Sequence, residues 1–467
     1  MKNLFSVTTF LLFTAISMVG MASSPYEKLL VEKTVISAKD TSKMKFVSDP
    51  AFYSEGWDTL AQPRFWQRVM RLPADSCLVN IAACRTSLQV IDTRSWFSQN
   101  EDEKLCYKEN LCSDYSLTVN TPIFVTTGKR EFYEIKKTLP KINTAVDIFI
   151  KNNVDPWYAQ TILLIESPGR LNATSSVGAY GPFQLMKTVA IKQGLVVNKS
   201  HDERSDLAKS AKAAALFINN TCIPNLKSTL DKYGIKYKET DIWFRLLVMH
   251  AYHAGSANIS GVIGATGMNT GGMPLIKKIW QTEYKTFKNQ SQNYSQIALA
   301  ALLSLDEVIN LNKDTVFLVQ GDWMMSQYRK TKDPLEASIW LQRSISSYED
   351  DLVDGMINID SFLTKVKNIQ TELTTLSDKN KGKLKYSDVK YPNNELRLIS
   401  MGNQLLRKRE SDAAIKLMKF NINSFPASAD TYDVLSRAYK MNGNKMMAEK
   451  YAGIAIAIGK DDKKASD

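Results

Sequence analysis

Glu166 is the residue of this sequence best suited by its position to donate a proton. Asp155 and Pro156 predict the start of a helix, because aspartate caps helix N-termini and proline is favoured in the first turn. The helix is strongly apolar and must be buried, and it delivers Glu166 at its end, before Pro168 and Gly169 stop it. Apolar neighbours raise the pKa of a carboxyl group, which is what a general acid needs at neutral pH.

The segment after Glu166 is rich in small residues and ends with an amide and a thioether. Small side chains keep a loop low, so that a ligand can come close to the backbone. A glutamate that ends a helix is most often solvated, and only its spacing from the residues that follow points to a site. Those residues are Ser167, Ala173, Ser175, Gly178, Ala179, Gly181, Gln184 and Met186.

A second short element, the sequence AYHAG at 251–255, lies further along the chain. In this order, the two elements resemble the E-S…A-x-S-x-x-G-A-x-G-x-x-Q-x-M and A-Y-N-A-G signatures of family 1 lytic transglycosylases. This family includes the soluble lytic transglycosylases and the membrane-bound lytic transglycosylase D type. The resemblance covers about a quarter of the chain, from Asp155 to Ile263.

The resemblance implies a lysozyme-like domain that cleaves the β-1,4 bond between N-acetylmuramic acid (MurNAc) and N-acetylglucosamine (GlcNAc) in peptidoglycan without consuming water. Glu166 would protonate the leaving oxygen and then accept a proton from the C6 hydroxyl group of the same muramic sugar, giving a 1,6-anhydro ring. Such a lyase needs one carboxylate, no metal and no cofactor.

The resemblance also assigns substrate-binding residues by matching position. Ser175 would bond near the N-acetyl group, Tyr252 would approach Glu166 or the reacting sugar, and Ser167 would help to orient the helix end. The full set is Ser167, Ser175, Gly178, Ala179, Tyr180, Gln184, Met186, Tyr252 and His253.

His253 departs from the family pattern, which has asparagine at this position. Histidine is bulkier and titrates near neutral pH, so one alternative is a catalytically weak scaffold that binds the cell wall. Another is a lysozyme-type hydrolase, which requires a second carboxylate. The nearest downstream acids, Asp202, Glu203 and Asp206, look like helix-start residues.

The histidines and cysteines do not predict a metal site. His250 and His253 would share a helix face, but no acidic or cysteine ligand accompanies them, and His201 lies in a polar turn. In an exported protein, Cys77 with Cys84 and Cys106 with Cys112 could close two small disulfide loops. Cys222 is left over and is expected to be a buried thiol.

Residues 1–22 have the pattern of a secretory signal, with Lys2 before an apolar stretch and small residues at the end. No later stretch is long and apolar enough to span a bilayer, so we expect an exported protein, periplasmic or associated with the cell envelope. The net charge of +12 suits an anionic polymer such as the peptide carboxylates of the cell wall. Export argues against nucleic acid as the partner.

At 467 residues, with 44% hydrophobic and 23% charged residues, the chain is expected to be globular with several domains. We expect a mainly α protein: a lysozyme-like catalytic domain with a helical N-terminal wrap, a helical hairpin and a C-terminal helical repeat. The predicted segments are the signal (1–22), an accessory region (23–150), the catalytic domain (151–290), a helical extension (291–375), a linker (376–394) and the repeats (395–467).

The repeats are indicated by a spacing of 34 residues, as between Ala414 and Ala448. This period and its small residues resemble tetratricopeptide repeats, which stack into a concave binding surface. The segment 395–460 could therefore bind a protein partner, and a plain helical bundle is the alternative.

Overall fold

The computed structural model describes residues 26–37, 41–168, 170–310, 314–380, 384 and 395–466. The predicted secretory signal and most of the predicted linker lie outside the described residues. The described chain is mainly helical, which confirms the predicted fold class. None of its described helices is both long and apolar enough to cross a membrane.

The N-terminal region combines helices with two small sheets. In one sheet, strand Leu30–Ile36 pairs antiparallel with Thr41–Val47 and parallel with Thr315–Phe317. In the other, the central strand Ser76–Ile81 pairs antiparallel with Ser87–Asp92 and Ile123–Thr127. The helices of this region are Ala51–Ser54, Ala61–Arg71, Thr93–Phe97, Glu101–Asp114 and Ile135–Lys151.

A helical layer follows, and it surrounds one fully buried helix, Pro156–Ile165. A π-helical turn at Ile218–Cys222 joins two of the surrounding helices. The surrounding helices are Lys187–Lys192, Leu207–Phe217, Ile223–Lys232, Ile242–Ala254, Ser256–Thr266, Met273–Ile279 and Gln290–Asn310.

The rest of the described chain is a hairpin followed by two helix pairs. After helix Gln320–Tyr328, the hairpin consists of Pro334–Val353 and Ile359–Lys379. Each helix of the second pair begins 34 residues after its counterpart in the first, as the sequence spacing predicts. The pairs are Glu395–Arg407 with Ser411–Ser424, and Ala429–Met441 with Lys445–Ser466.

Two large hydrophobic cores organise these elements. The first extends from Val35 to Val316 and includes helix Gln290–Asn310, while the second extends from Val319 to Ala448. The helical extension predicted at 291–375 is therefore divided between the two cores. Its hairpin packs on the C-terminal helix pairs and reaches the first core mainly through ion pairs, such as Lys136 with the buried Asp351 at 3.0 Å.

Three further predictions from local sequence are wrong. The glycines of the segment 261–272 predict a loop, but the segment is helical as far as Thr266. The segment 121–132 predicts a strand, a turn and a second extended piece, but only the first piece forms a strand, because the second folds back to bond with the end of helix Ala61–Arg71. Apolar residues at helical spacing from Leu352 to Val366 predict a continuous seam, but it is interrupted between the two helices of the hairpin.

The described cysteines are all free thiols, so neither small disulfide loop forms. Cys106 and Cys112 lie in one helix, where a separation of six residues corresponds to a rise of about 9 Å, too far for a disulfide. Cys77 is buried in a strand, whereas Cys84 is exposed in the turn that follows. Cys222 is buried, as expected, and burial raises the pKa of its thiol to about 12.

Candidate active site

The candidate site is built on helix Pro156–Ile165, every residue of which is buried. The carboxylate of Asp155 caps this helix by accepting a 2.9 Å hydrogen bond from the backbone N–H of Trp157, which confirms the predicted start. Asp155 also pairs at 2.7 Å with Arg245, a fully buried guanidinium on helix Ile242–Ala254 that bonds Asp49 as well. These contacts fix the helix in position and direction.

Glu166 occupies the C-cap of this helix and is partly buried. Tyr294, on the first turn of helix Gln290–Asn310, donates a 2.6 Å hydrogen bond to its Oε1 atom. Removal of the carboxyl group from water raises its pKa, and the bond from Tyr294 offsets part of this rise. The result is a pKa of about 7, so the group is protonated about half of the time near neutral pH.

Two further tyrosines border the carboxyl group. Burial raises the pKa of both Tyr133 and Tyr252, and the nearby charge of Glu166 raises it further. The hydroxyl group of Tyr252, however, donates a 2.6 Å hydrogen bond to the carbonyl oxygen of Phe183. The hydroxyl that contacts Glu166 is therefore that of Tyr294, while Tyr252 holds the neighbouring loop.

His253 stacks face to face on Tyr294, with ring centroids 4.2 Å apart and planes 16° from parallel. The residue is exposed, but the stacked face of its ring is shielded from water, and this desolvation lowers its pKa. On the next residue, the Ser295 hydroxyl accepts a 2.7 Å hydrogen bond from Trp280 and lies 2.8 Å from Nε2 of His250. The position of Tyr294 is thus restrained by the stacked ring of His253 and by the side-chain contacts of the neighbouring Ser295.

The loop after Glu166 is held by its own polar groups. Ser167 is buried and donates a 2.8 Å hydrogen bond to the carbonyl oxygen of Pro182, which ties the helix end to the loop. The side-chain amide of Gln184 donates to the carbonyl oxygens of Ala173 and Gly181 at 2.8 and 2.9 Å. The hydroxyl oxygen of Ser175 accepts a bond from the backbone of a residue four positions on.

Only glycine fits the backbone of this loop at position 181. Its φ of +85° lies in the region that favours glycine, and a Cβ atom there would lie 1.9 Å from the carbonyl oxygen of Arg204. The buried Arg204 guanidinium donates to the carbonyl oxygens of Gly178 and Leu185 at 3.0 and 2.9 Å, and it pairs with Asp202. A single cation therefore joins both ends of the segment 178–185.

The outer surface of this loop is apolar. Met186 and Val177 leave 43% and 73% of their surface exposed, which is unusual for such side chains. Tyr180 is partly exposed, with its hydroxyl group directed to Asn172. Ala179 is buried and contributes its backbone alone.

The acidic residues downstream of Glu166 form their bonds within their own segment. Asp202 pairs with Arg204, Glu203 pairs with Lys209 at 2.5 Å, and Asp206 caps helix Leu207–Phe217, as expected of helix-start residues. Among the residues that the structure describes, no group of histidine, cysteine and acidic side chains could hold a metal ion.

The prediction from sequence missed Tyr294, Tyr133 and Arg204. Tyr294 contacts Glu166 from another helix, and Tyr133 lies in the accessory region, to which the sequence assigned no chemistry. Arg204 lies between two acids that look like ordinary helix-start residues. No local pattern distinguishes these three side chains from surface residues.

Residues 150–270 match the family model described as Transglycosylase SLT domain. This match supports a lytic transglycosylase catalytic domain with a lysozyme-like fold in this part of the chain, and proteins with this domain act on the glycan strands of peptidoglycan. The match begins just before helix Pro156–Ile165 and includes Glu166, the loop and Tyr252, whereas Tyr294 lies beyond it. No curated protein matches the chain.

Proposed function

We propose that this protein is a peptidoglycan lytic transglycosylase that cleaves the β-1,4 bond between MurNAc and GlcNAc, with Glu166 as its single general acid and base. The observation that carries this proposal is the pKa of about 7 at Glu166, inside the segment that matches the transglycosylase domain. A group with this pKa can both donate and accept a proton near neutral pH.

The same carboxyl group acts twice. Its proton goes to the glycosidic oxygen as the bond from that oxygen to C1 of the muramic sugar breaks. The carboxylate then takes the proton of the C6 hydroxyl group while the C6 oxygen bonds to C1, which closes the 1,6-anhydro ring. No water is consumed, and Glu166 ends in its original protonated state. Tyr294 bonds Oε1 and thereby leaves Oε2 to carry the transferred proton.

The surroundings of Glu166 favour this route over hydrolysis with two carboxylates. No other described carboxylate contributes to its raised pKa, which arises from burial. The acids that could have supplied a second group, Asp202, Glu203 and Asp206, form bonds elsewhere. A hydrolase of the lysozyme type requires such a partner.

The loop surface supplies groups that suit a sugar. Since Ser175 accepts its bond through oxygen, its hydroxyl hydrogen is left to donate to an N-acetyl carbonyl group. The exposed faces of Met186, Tyr180 and His253 offer apolar contact to a pyranose ring. Gly178 and Gly181 shape the backbone of this surface, while Ser167, Gln184 and Tyr252 hold it in place.

The rest of the chain is organised around this activity. We infer export to the periplasm or cell envelope, since the substrate lies there and residues 1–22 have the pattern of a secretory signal. The two helix pairs have the period of tetratricopeptide repeats. They are proposed to present a surface to a protein partner while remaining packed on the hairpin.

The test is digestion of purified sacculi followed by mass spectrometry of the released sugar ends. We expect 1,6-anhydro ends from the protein, none from Glu166→Gln, and an unchanged yield from Glu109→Gln, which alters an exposed glutamate on a distant helix. Reducing MurNAc ends without anhydro ends would replace the proposal with hydrolysis. Binding to sacculi without any new ends would indicate a scaffold.

A further inference from the structure

A recess of about 500 Å³ lies where the first helix pair meets the N-terminal and catalytic regions. We call it the basic recess. The residues that define it are Lys129, Glu131, Phe132, Arg170, Arg407 and Lys408. Four of these six side chains are cationic and one is acidic, so the recess has an excess of positive charge.

Two of the four cations are already neutralised. Arg407 lies 3.4 Å from Glu131, and Lys408 lies 3.2 Å from Glu134, so these residues join the helix pair to the N-terminal region. Arg407 and Lys408 therefore have a structural reason to be present.

The other two cations have no acidic partner. Lys129 and Arg170 form no ion pair with any residue in the described part of the chain, and both are exposed. The ammonium group of Lys129 lies over the ring of Trp66, 5.9 Å from its centroid, and partial desolvation lowers the pKa of this group. The Arg170 guanidinium donates a 2.8 Å hydrogen bond to the carbonyl oxygen of Glu131 and lies over the ring of Phe132. This arrangement holds one edge of the guanidinium and leaves its positive charge unpaired.

The floor of the basic recess is held rigidly. The backbone N–H groups of Gly128, Lys129 and Arg130 each donate to a carbonyl oxygen of the segment 69–76. A Cβ atom on Gly128 would lie 2.2 Å from the carbonyl oxygen of Pro73, so only glycine allows this approach. Lys129 is thereby held at the recess, which reduces the entropy that a ligand must overcome to bind.

The basic recess adjoins the candidate active site. Arg170 follows Glu166 by four residues, at the start of the segment 170–186, which we call the substrate loop. On the other side, Phe132 lines the recess while the next residue, Tyr133, borders Glu166. The rings of Phe132 and Tyr133 contact each other edge to face, with centroids 4.8 Å apart. The two sites thus share walls.

A neighbouring cavity of about 420 Å³ differs in its charge. Its cation Arg130 lies 3.0 Å from Asp350 and 3.5 Å from Asp354, and Lys136 pairs with Asp351. Its charges therefore balance internally and form the joint between the hairpin and the first core. Cations without an acidic partner are a property of the basic recess, which reaches the candidate active site through Phe132 and Tyr133.

We propose that the basic recess binds the carboxylates of the peptide stem carried by a MurNAc residue next to the cleavage site. This inference rests on the proposed function, because the glycan must already lie at Glu166. In a strand with intact stems, the lactyl carboxyl group of MurNAc is bound in an amide and carries no charge, whereas the peptide stems carry free carboxylates. Lys129 and Arg170 would each form a charge-assisted hydrogen bond with them.

The test measures binding in the Glu166→Gln background, so that the strands are not cleaved. The two ligands are solubilised glycan strands with their peptide stems and the same strands after an amidase has removed the stems, which leaves only the lactyl carboxylate on each MurNAc. We expect the full-length protein to bind the stem-bearing strands more tightly, and Lys129→Gln to reduce this preference about three- to tenfold. Raising the salt concentration is expected to have the same effect.

Two variants serve as controls. Lys129→Arg keeps the charge and is expected to retain the preference, while Lys440→Gln removes an exposed charge from a distant helix and is expected to retain it too. The inference would be overturned if Lys129→Gln and Lys440→Gln reduced the preference for stem-bearing strands equally. It would also be overturned if the Glu166→Gln protein without further changes bound both ligands equally. Either result would leave the formation of anhydro ends, and hence the proposed function, as a separate measurement.

Discussion

The hydroxyl group of Tyr294 donates a 2.6 Å hydrogen bond to Glu166, although 128 residues separate them in sequence. The bond joins the C-cap of the buried helix to the first turn of the last helix of the first core. It restrains the carboxyl group in direction, and it also favours the charged form that must take back a proton. Helix Gln290–Asn310, which lies beyond the matched segment, therefore supplies a direct contact to Glu166.

Replacing Glu166 with glutamine should abolish turnover and raise stability at alkaline pH. General acid and base catalysis typically contributes about 10²–10⁴-fold to a rate, and in the proposed mechanism Glu166 supplies both. Since burial raises the pKa of Glu166 from 4.5 to about 7, the folded state binds this proton more tightly than the unfolded state. The stabilisation is full below about pH 4.5 and is lost as the pH rises through 7.

Denaturant unfolding of both proteins at acidic and alkaline pH measures this effect. The protein should lose stability across that range by more than Glu166→Gln does, because glutamine does not titrate. Parallel losses in the two proteins would mean that the carboxyl group is solvated, which would also remove the basis for a general acid.

Replacing Tyr294 with phenylalanine should raise the pKa of Glu166 further, because the lost hydrogen bond favoured the charged form. A bond to a charged group contributes about 1.5–3 kcal/mol, so the alkaline limb of the pH–rate profile should move up by about one to two units. Tyr252→Phe is the matched control, since that hydroxyl group bonds the loop backbone. Tyr252→Phe should lower the rate without moving the alkaline limb. If it moved the limb as far as Tyr294→Phe does, the two hydroxyl groups would act alike on Glu166, which would contradict the prediction.

Replacing Arg204 with methionine should loosen the substrate loop without unfolding the domain. The substitution removes the guanidinium bonds to the carbonyl oxygens of Gly178 and Leu185, which contribute about 1 kcal/mol each, while Leu185 keeps its bond from the backbone N–H of Tyr180. Limited proteolysis should then cut within 170–186, and cleavage of sacculi should fall at least about tenfold. Arg94→Met, which changes an exposed arginine outside the domain, should do neither.

Replacing Arg245 with methionine should destabilise the protein by about 3–5 kcal/mol, because Asp155 would keep a buried charge without its cation. Adding Asp155→Asn should recover part of the loss, since asparagine still caps the helix and carries no charge. Chemical denaturation of the two single variants and the double variant gives the coupling. Strictly additive losses would show that the ion pair does not stabilise the helix.

The sequence predicted the elements whose signals are local. The helix from Pro156 begins at its cap and ends at Glu166, and the 34-residue period of the C-terminal helices is confirmed. The helix at 256–266 was missed because its glycines suggested a loop, although two of them face Tyr284 and Tyr233 and allow close packing. Tertiary contacts override the weak helix propensity of glycine there.

The partners of the site could not be predicted, because their roles depend on distant contacts. Tyr294 reads as one polar residue at the start of an apolar helix, and only the packing of that helix brings it to Glu166. From the sequence alone, Arg204 would be interpreted as a solvated charge, and only the fold shows that the loop surrounds it. These residues differ from their sequence neighbours only in where the fold places them, and a single sequence does not show this.

The complete burial of helix Pro156–Ile165 has a consequence for partial unfolding. Its backbone amides have no solvent-facing side from which exchange with deuterium could begin, so they should be among the slowest in the chain. Openings at the termini or between the C-terminal helices would leave this segment closed. Glu166 at its end should therefore keep its place until the domain as a whole unfolds.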